Sequence, residues 1–209
     1  QELKREGSLA TRLVLVSLGW ALVLLVLGAL ALTFLFRQTV LSDLDDRLER
    51  VTESLSAQLE VTDAGLELAV RPTDPSYRQA FSGRYWQISR LSGGETVETL
   101  TSTSLADEIL AVPDTLSAEA TADLGRALAG GMTGAGGERL RVRVRALTLE
   151  AHEDVFLLAA AEDRAPADSR VRRFAAIFAA TFAVFALALL AGVYFAVRYG
   201  LSPVRRMQT

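Results

Sequence analysis

The sequence predicts an α+β domain held between two membrane-crossing helices, and three observations carry that prediction. Two runs of 24 residues, 13–36 and 174–197, contain no Asp, Glu, Lys or Arg. Directly after the first run, apolar residues recur at gaps of three and four, the period of one helix face. Further along, short segments alternate apolar and polar residues, the period of a strand.

The first twelve residues carry Lys4, Arg5 and Arg12 and read as a cytoplasmic segment. Residues 13–36 follow as the first span. At about 1.5 Å per residue the run is roughly 36 Å long, enough to cross a hydrocarbon core of about 30 Å. A cleaved signal peptide is the alternative, since Ala29, Leu30 and Ala31 fit a small-residue cleavage pattern. The apolar run before that site is already too long for a signal core, and it continues through Leu32, Phe34, Leu35 and Phe36. An uncleaved anchor is therefore expected.

Residues 37–173 carry 16 Arg and 23 Asp or Glu, a formal charge of −7, and read as an acidic soluble domain. Leu41, Leu44, Leu48, Val51, Leu55 and Leu59 make one helical stripe. Asp43, Asp45, Asp46, Arg47, Glu49, Arg50 and Glu53 lie between them as a solvated face. The stripe fits either core packing or a dimer seam, because the same spacing serves a coiled coil. Leu66, Leu68 and Val70 then alternate as a strand that Pro72-Thr73-Asp74-Pro75 ends. Residues 84–88 are aromatic and β-prone, and Gly93-Gly94 before Thr96, Val97, Thr99 and Leu100 predicts a hairpin. Ser117 is expected to cap a short helix through Leu124 and Leu128 that stops at Gly130-Gly131, in a glycine-rich mobile loop.

The clearest strand covers residues 139–145, where Leu140, Val142 and Val144 alternate with Arg139, Arg141, Arg143 and Arg145. Residues 155–160 read as its more buried hairpin partner. Pro166 precedes a helix that continues into the second span, residues 174–197, with Phe174, Phe178, Phe182 and Phe185 along one side. Ala176, Ala179, Ala180 and Ala183 lie among them at a spacing that lets helices approach closely. Neither span contains an Asp, Glu, Lys, Arg or His, which argues against an ion path or proton relay in the membrane.

Composition removes several chemistries. The absence of cysteine leaves no disulfide framework and no thiolate metal site, and the single histidine, His152, leaves no multi-histidine site. No metal site is expected, and no nucleic-acid partner. Charge alone does not orient the chain, because Arg37, Arg170, Arg172 and Arg173 flank the opposite ends of the same two spans. The chain begins with Gln and ends inside a helical pattern, so a longer parent protein is expected.

The tail, residues 198–209, carries Pro203, Val204, Arg205, Arg206 and Met207 directly after the second span, and it resembles the start of a HAMP module. Proline suits a helix's first turn, and Val204 with Met207 begins an apolar seam. The middle is similar to the sensor region of proteobacterial two-component sensor histidine kinases, at residues 81–88, 140–149, 155–163 and 171–174. That resemblance implies a PAS-like periplasmic domain with its long N-terminal helix packed on an antiparallel sheet. It also implies a multi-pass inner-membrane homodimer and a signal relay through Pro203, Val204 and Met207. The kinase core that uses ATP and Mg and phosphorylates a response regulator would lie beyond this chain, which itself carries no cofactor and no catalytic domain. A chemoreceptor, a HAMP-containing cyclase and a non-signalling accessory protein share the same layout and remain open.

Two groups stand out as ligand candidates. Arg141, Arg143 and Arg145 share one strand face, and guanidinium forks match carboxylates and phosphates; the alternative is a sheet face paired with the domain's own acids. Tyr85 and Trp86 could line a pocket, with only one of the two expected to point inward and core packing as the alternative role. Asp43, Asp45, Asp46 and Glu49 form an acidic stripe that could bridge cations to a membrane surface, although Arg47 and Arg50 already neutralise part of it.

Overall fold

The computed structural model describes residues 6–63, 65–134, 136–150 and 152–200. The chain is α+β and divides into two compact units, one formed by Thr39–Ser169 and the other by Gln1–Gln38 with Arg170–Thr209.

Helix α1 (Glu6–Gln58) begins in the second of these units and ends in the first. A small hairpin follows, β1 (Leu59–Thr62) and β2 (Gly65–Leu68), in antiparallel register from Leu59 opposite Leu68 to Thr62 opposite Gly65. Strands β3 (Arg84–Ser92) and β4 (Glu95–Thr101) form the predicted second hairpin. Then come α2 (Asp114–Ala122), β5 (Ala127–Thr133), β6 (Arg139–Thr148), β7 (Val155–Asp163) and α3 (Ala165–Gly200). The five longer strands make one antiparallel sheet in the order β4-β3-β7-β6-β5.

That sheet is covered on both faces, which explains its long buried runs. On one face Tyr85, Leu140, Val142, Val144, Ala146, Leu157, Ala159 and Ala161 pack with Leu105, Leu110, Leu128 and Ala120 of α2. On the other, Trp86, Ile88, Phe156 and Leu158 pack against Leu55, Leu59, Leu66 and Tyr77. Farther along the same face, Leu44 and Leu48 of α1 settle on Ala160 of β7. Ala160 is fully buried, and its small side chain lets the helix approach the middle of the sheet closely.

The leucine stripe is therefore core. Leu44, Leu48 and Leu55 are each 1% exposed, so this part of α1 is used up against the sheet and is not available as a dimer seam. The edge strand β4 is tied to the small hairpin by Glu98, whose carboxylate accepts from Leu66 N–H at 2.8 Å. Gly65 makes that approach possible: its φ of +118° favours glycine, and an added Cβ would collide with the Glu98 carboxylate.

Three expectations around residues 113–137 are corrected. The short helix starts at Asp114, after Pro113, and not at Ser117, whose hydroxyl donates back to Pro113 O at 3.1 Å. It ends at Ala122, so Leu128 lies in a strand. Gly130 and Gly131 belong to β5 as well, opposite Val142 and Arg141. A Cβ on Gly130 would lie 2.8 Å from Leu116 Cδ2, so this glycine serves close packing under α2.

In the other unit, Phe36 stacks on Phe174 with centroids 3.9 Å apart and an interplanar angle of 11°. Phe178 and Phe182 continue the aromatic row along α3, at centroid separations of 4.4 and 5.8 Å. Two threonines in the apolar stretches bond to their own helix: Thr33 donates to Ala29 O and Thr181 to Ile177 O. Two helices, over Val16–Gln58 and Ala165–Phe195, are long and apolar enough to cross a membrane, and their most apolar windows are unburied. Trp20, Leu24, Val184 and Leu187 are each more than 60% exposed, an apolar surface that suits membrane association.

Candidate functional site

The face of the sheet beneath α1 carries most of the domain's organised charge. The strand period puts Arg141, Arg143 and Arg145 of β6 on that face, together with Arg84 of β3 and Glu162 of β7. The helix period puts Asp45, Glu49 and Glu53 along one flank of α1.

These two rows meet. Arg141 donates to both carboxylate oxygens of Asp45, from Nε and Nη2, each at 2.7 Å. Arg143 Nη2 donates to Glu49 Oε2 at 2.6 Å. Arg145 Nη2 lies 3.5 Å from the other Glu49 oxygen and 3.6 Å from Glu53 Oε1. The match is geometric: four residues of helix rise about 6 Å, and two residues of strand advance about 6.6 Å. The bond to Asp45 holds the Arg141 guanidinium pKa above its ordinary value, against the opposing effect of burial.

A second cluster stands on the opposite flank of α1. Glu162 Oε1 receives Arg47 of α1 at 3.5 Å and Arg84 at 3.4 Å, and Arg84 Nη1 donates to Asp74 Oδ2 at 2.7 Å. Asp74 is positioned by its own local structure. It precedes the Pro75–Arg78 turn, and its Oδ1 accepts from Ser76 N–H at 2.9 Å. Those Ser76 bonds first, and the Arg84 charge after them, hold the Asp74 carboxyl below its ordinary pKa. Around these groups lies a cleft of about 320 Å³, lined also by Arg50, Val51, Pro72 and Tyr77. Burial pushes the Tyr77 hydroxyl up to about 12, so it stays protonated.

A depressed carboxyl pKa stabilises the fold at pH values above the unfolded value and stops doing so as pH falls through the folded value. The denaturation midpoint is accordingly expected to fall as pH drops below about 4. Asp74→Asn should flatten part of that acid limb and leave the neutral-pH slope unchanged. An identical acid limb in the variant would remove Asp74 from this role.

Strand β7 passes directly into α3 through Arg164. Asp163 Oδ1 accepts from Ala165 N–H at 2.8 Å, capping the helix start, and Arg164 N–H donates to Arg139 O at 2.9 Å. Asp168, one turn into α3, pairs with Arg139 at 3.1 Å and with Arg164 at 3.6 Å. The strand that lies under α1 thus ends in a pinned joint.

The sequence candidates are distributed differently from their grouping in sequence. Arg141, Arg143 and Arg145 are together, and their guanidinium groups face the carboxylates of α1. Tyr85 and Trp86 are both 2% exposed, on opposite faces of the sheet, because both faces are covered. The expectation that only one of them points inward is thereby corrected. Tyr85 donates to Glu138 Oε1 at 2.9 Å, which tethers the turn before β6. His152 lies between β6 and β7 with its ring edge-on to Phe156. Of the acidic stripe, Asp45 and Glu49 belong to the ion pairs. Pro203, Val204 and Met207 lie outside the described residues.

The cleft residues Arg47, Arg50, Asp74 and Glu162 were not singled out as a group by the sequence. Arg47 and Arg50 sit three apart on a helix and so share a side, which was the available signal; their partners come from strands and a turn far away in the chain. Among the described residues no group of three or more His, Asp or Glu side chains is arranged to hold a metal ion. No family model, curated protein or solved structure matches this chain.

Proposed function

We propose that the chain is the signal-input region of a membrane-bound sensor histidine kinase, with a PAS-like periplasmic domain between two inner-membrane spans. The observation that carries the proposal is the path α1, β7, α3. One apolar helix enters the domain, is held on the sheet by a row of ion pairs on one flank and by Arg47–Glu162 on the other, and rests on Ala160 of the strand that becomes the other apolar helix.

A stimulus that shifts α1 on the sheet changes the load on β7, and the capped joint at Asp163 hands that change to α3. Only a small bias between two packed arrangements is required. The HAMP-like entry at Pro203, Val204 and Met207 then passes it, in a homodimer, to a kinase core that uses ATP and Mg and serves a response regulator.

The test is phosphorylation of the full-length parent protein in nanodiscs with labelled ATP. The expected result is acid-labile, base-stable phosphate on histidine, with a level that changes when Glu49→Arg disturbs the α1 contact. Absence of nucleotide-dependent phosphorylation would overturn the kinase reading in favour of a receptor, cyclase or accessory role.

A further inference from the structure

We propose that the cleft beside α1 binds a small organic anion, a single carboxylate on a short apolar body, with Arg50 supplying the charge. The cleft holds three guanidinium groups and two carboxylates. Asp74 and Glu162 are engaged by Arg84 at 2.7 and 3.4 Å, and Glu162 also draws on Arg47 at 3.5 Å. Arg50 makes no ion pair among the described residues and leaves the cleft one positive charge in excess.

Beside it, the Arg47 side chain is 40% exposed and its one ion pair among the described residues is the 3.5 Å contact from Nη2 to Glu162. Both arginines lie on one side of α1, three residues apart, where a carboxylate can accept from the pair. The rest of the wall is mixed: Leu48, Val51 and Pro72 supply apolar surface, and Ser54, Thr73 and Tyr77 add hydroxyl-bearing side chains. A volume of about 320 Å³ is at the lower end of small-molecule sites. Guanidinium groups set beside Leu48, Val51 and Pro72 favour an amphiphilic carboxylate over a fully hydrated phosphate.

Occupancy has a structural consequence, which rests on the signal-input reading. A carboxylate between Arg50 and Arg47 competes with Glu162 for Arg47, and that contact joins α1 to β7. Ligand would loosen the one ion pair that holds this flank of the helix to β7.

Binding itself is measured without any kinase activity, by fluorine NMR line broadening of para-fluorobenzoate with the whole chain in zwitterionic nanodiscs. Saturable broadening is expected. It should weaken about tenfold or more with Arg50→Gln, and less with Arg50→Lys, which keeps the charge but loses the fork. Ser54→Phe, which fills the cleft from an exposed position, should abolish it while Trp86 fluorescence in a Trp20→Phe background stays native. Equal broadening with Arg50→Gln or with empty nanodiscs, or no saturable broadening, would overturn the site. Displacement by an equal concentration of inorganic phosphate would overturn the organic-anion assignment.

Discussion

Glu49→Arg is expected to destabilise the unit formed by Thr39–Ser169 by about 2–4 kcal/mol, the range for removing one partner of a part-buried charge pair with some discount for solvent screening. Glu49 is the shared acceptor of the row: it takes Arg143 at 2.6 Å and Arg145 at 3.5 Å. Those two arginine side chains are only 18% and 17% exposed, so they cannot turn freely into water when the carboxylate disappears. Nε of each already lacks a hydrogen-bond partner in a solvent-shielded position. A third guanidinium then faces two that have lost their acceptor.

The measurement is urea unfolding of the whole chain in detergent micelles, followed by Trp86 in a Trp20→Phe background. Trp20 is 64% exposed on the apolar part of α1, whereas Trp86 is buried in the sheet and reports on the domain alone. The midpoint should fall by about 1–2 M, given a slope of about 2 kcal/mol per molar urea. An unchanged midpoint would mean that the row contributes nothing to the docking of α1.

Ala160→Leu is expected to cost about 3 kcal/mol or more. Overpacking a core position costs about 1–3 kcal/mol by itself, and here the added atoms also act on the ion pairs. Ala160 is fully buried between Trp86 and Arg143 in sheet register, directly under Leu44 and Leu48. A leucine there lifts α1, and a displacement of an ångström or two lengthens Asp45–Arg141 and Arg47–Glu162 together, since these pairs stand on the two flanks of the helix. Hydrogen exchange should rise in the α1 amides from residue 39 to residue 58 and much less in β5. Ala161→Leu is the control, because Ala161 faces the α2 side and its enlargement should leave α1 protection in place. Equal loss of α1 protection in both variants would deny Ala160 its special place.

These two expectations also mark where sequence reasoning reached and where it stopped. The α1 stripe was legible because a 3-4 period of leucines has only one apolar side, and the β6 strand because arginines and aliphatics alternate without interruption. Each charged row was visible separately. Their pairing was not, because Asp45 and Arg141 are 96 residues apart and only the sheet order brings β6 under the helix.

Strand β1 was hidden because Leu59 continues the helical stripe, so the stripe alone does not mark the end of α1 at Gln58. Strand β5 was hidden for another reason. Its glycines look like a loop signal, whereas Gly130 is small to admit Leu116 of α2. The burial of both Tyr85 and Trp86 required knowing that the sheet has a helix on each side, which neither residue's neighbours reveal. The cleft was least legible of all, since its charges come from α1, β3, β7 and the turn at Asp74.

The docking of α1 by matched charge rows is tested most directly by a double-mutant cycle on its best-formed pair, Asp45 with Arg141, using Asp45→Asn, Arg141→Gln and the combination, with Trp86 unfolding as the readout. The two bonds of 2.7 Å and the one-quarter or lower exposure of both side chains lead to a coupling energy of about 1–2 kcal/mol, with the double variant little worse than either single one. Strictly additive losses, with coupling near zero, would show that Asp45 and Arg141 do not hold one another and that the helix is placed on the sheet by its leucines alone.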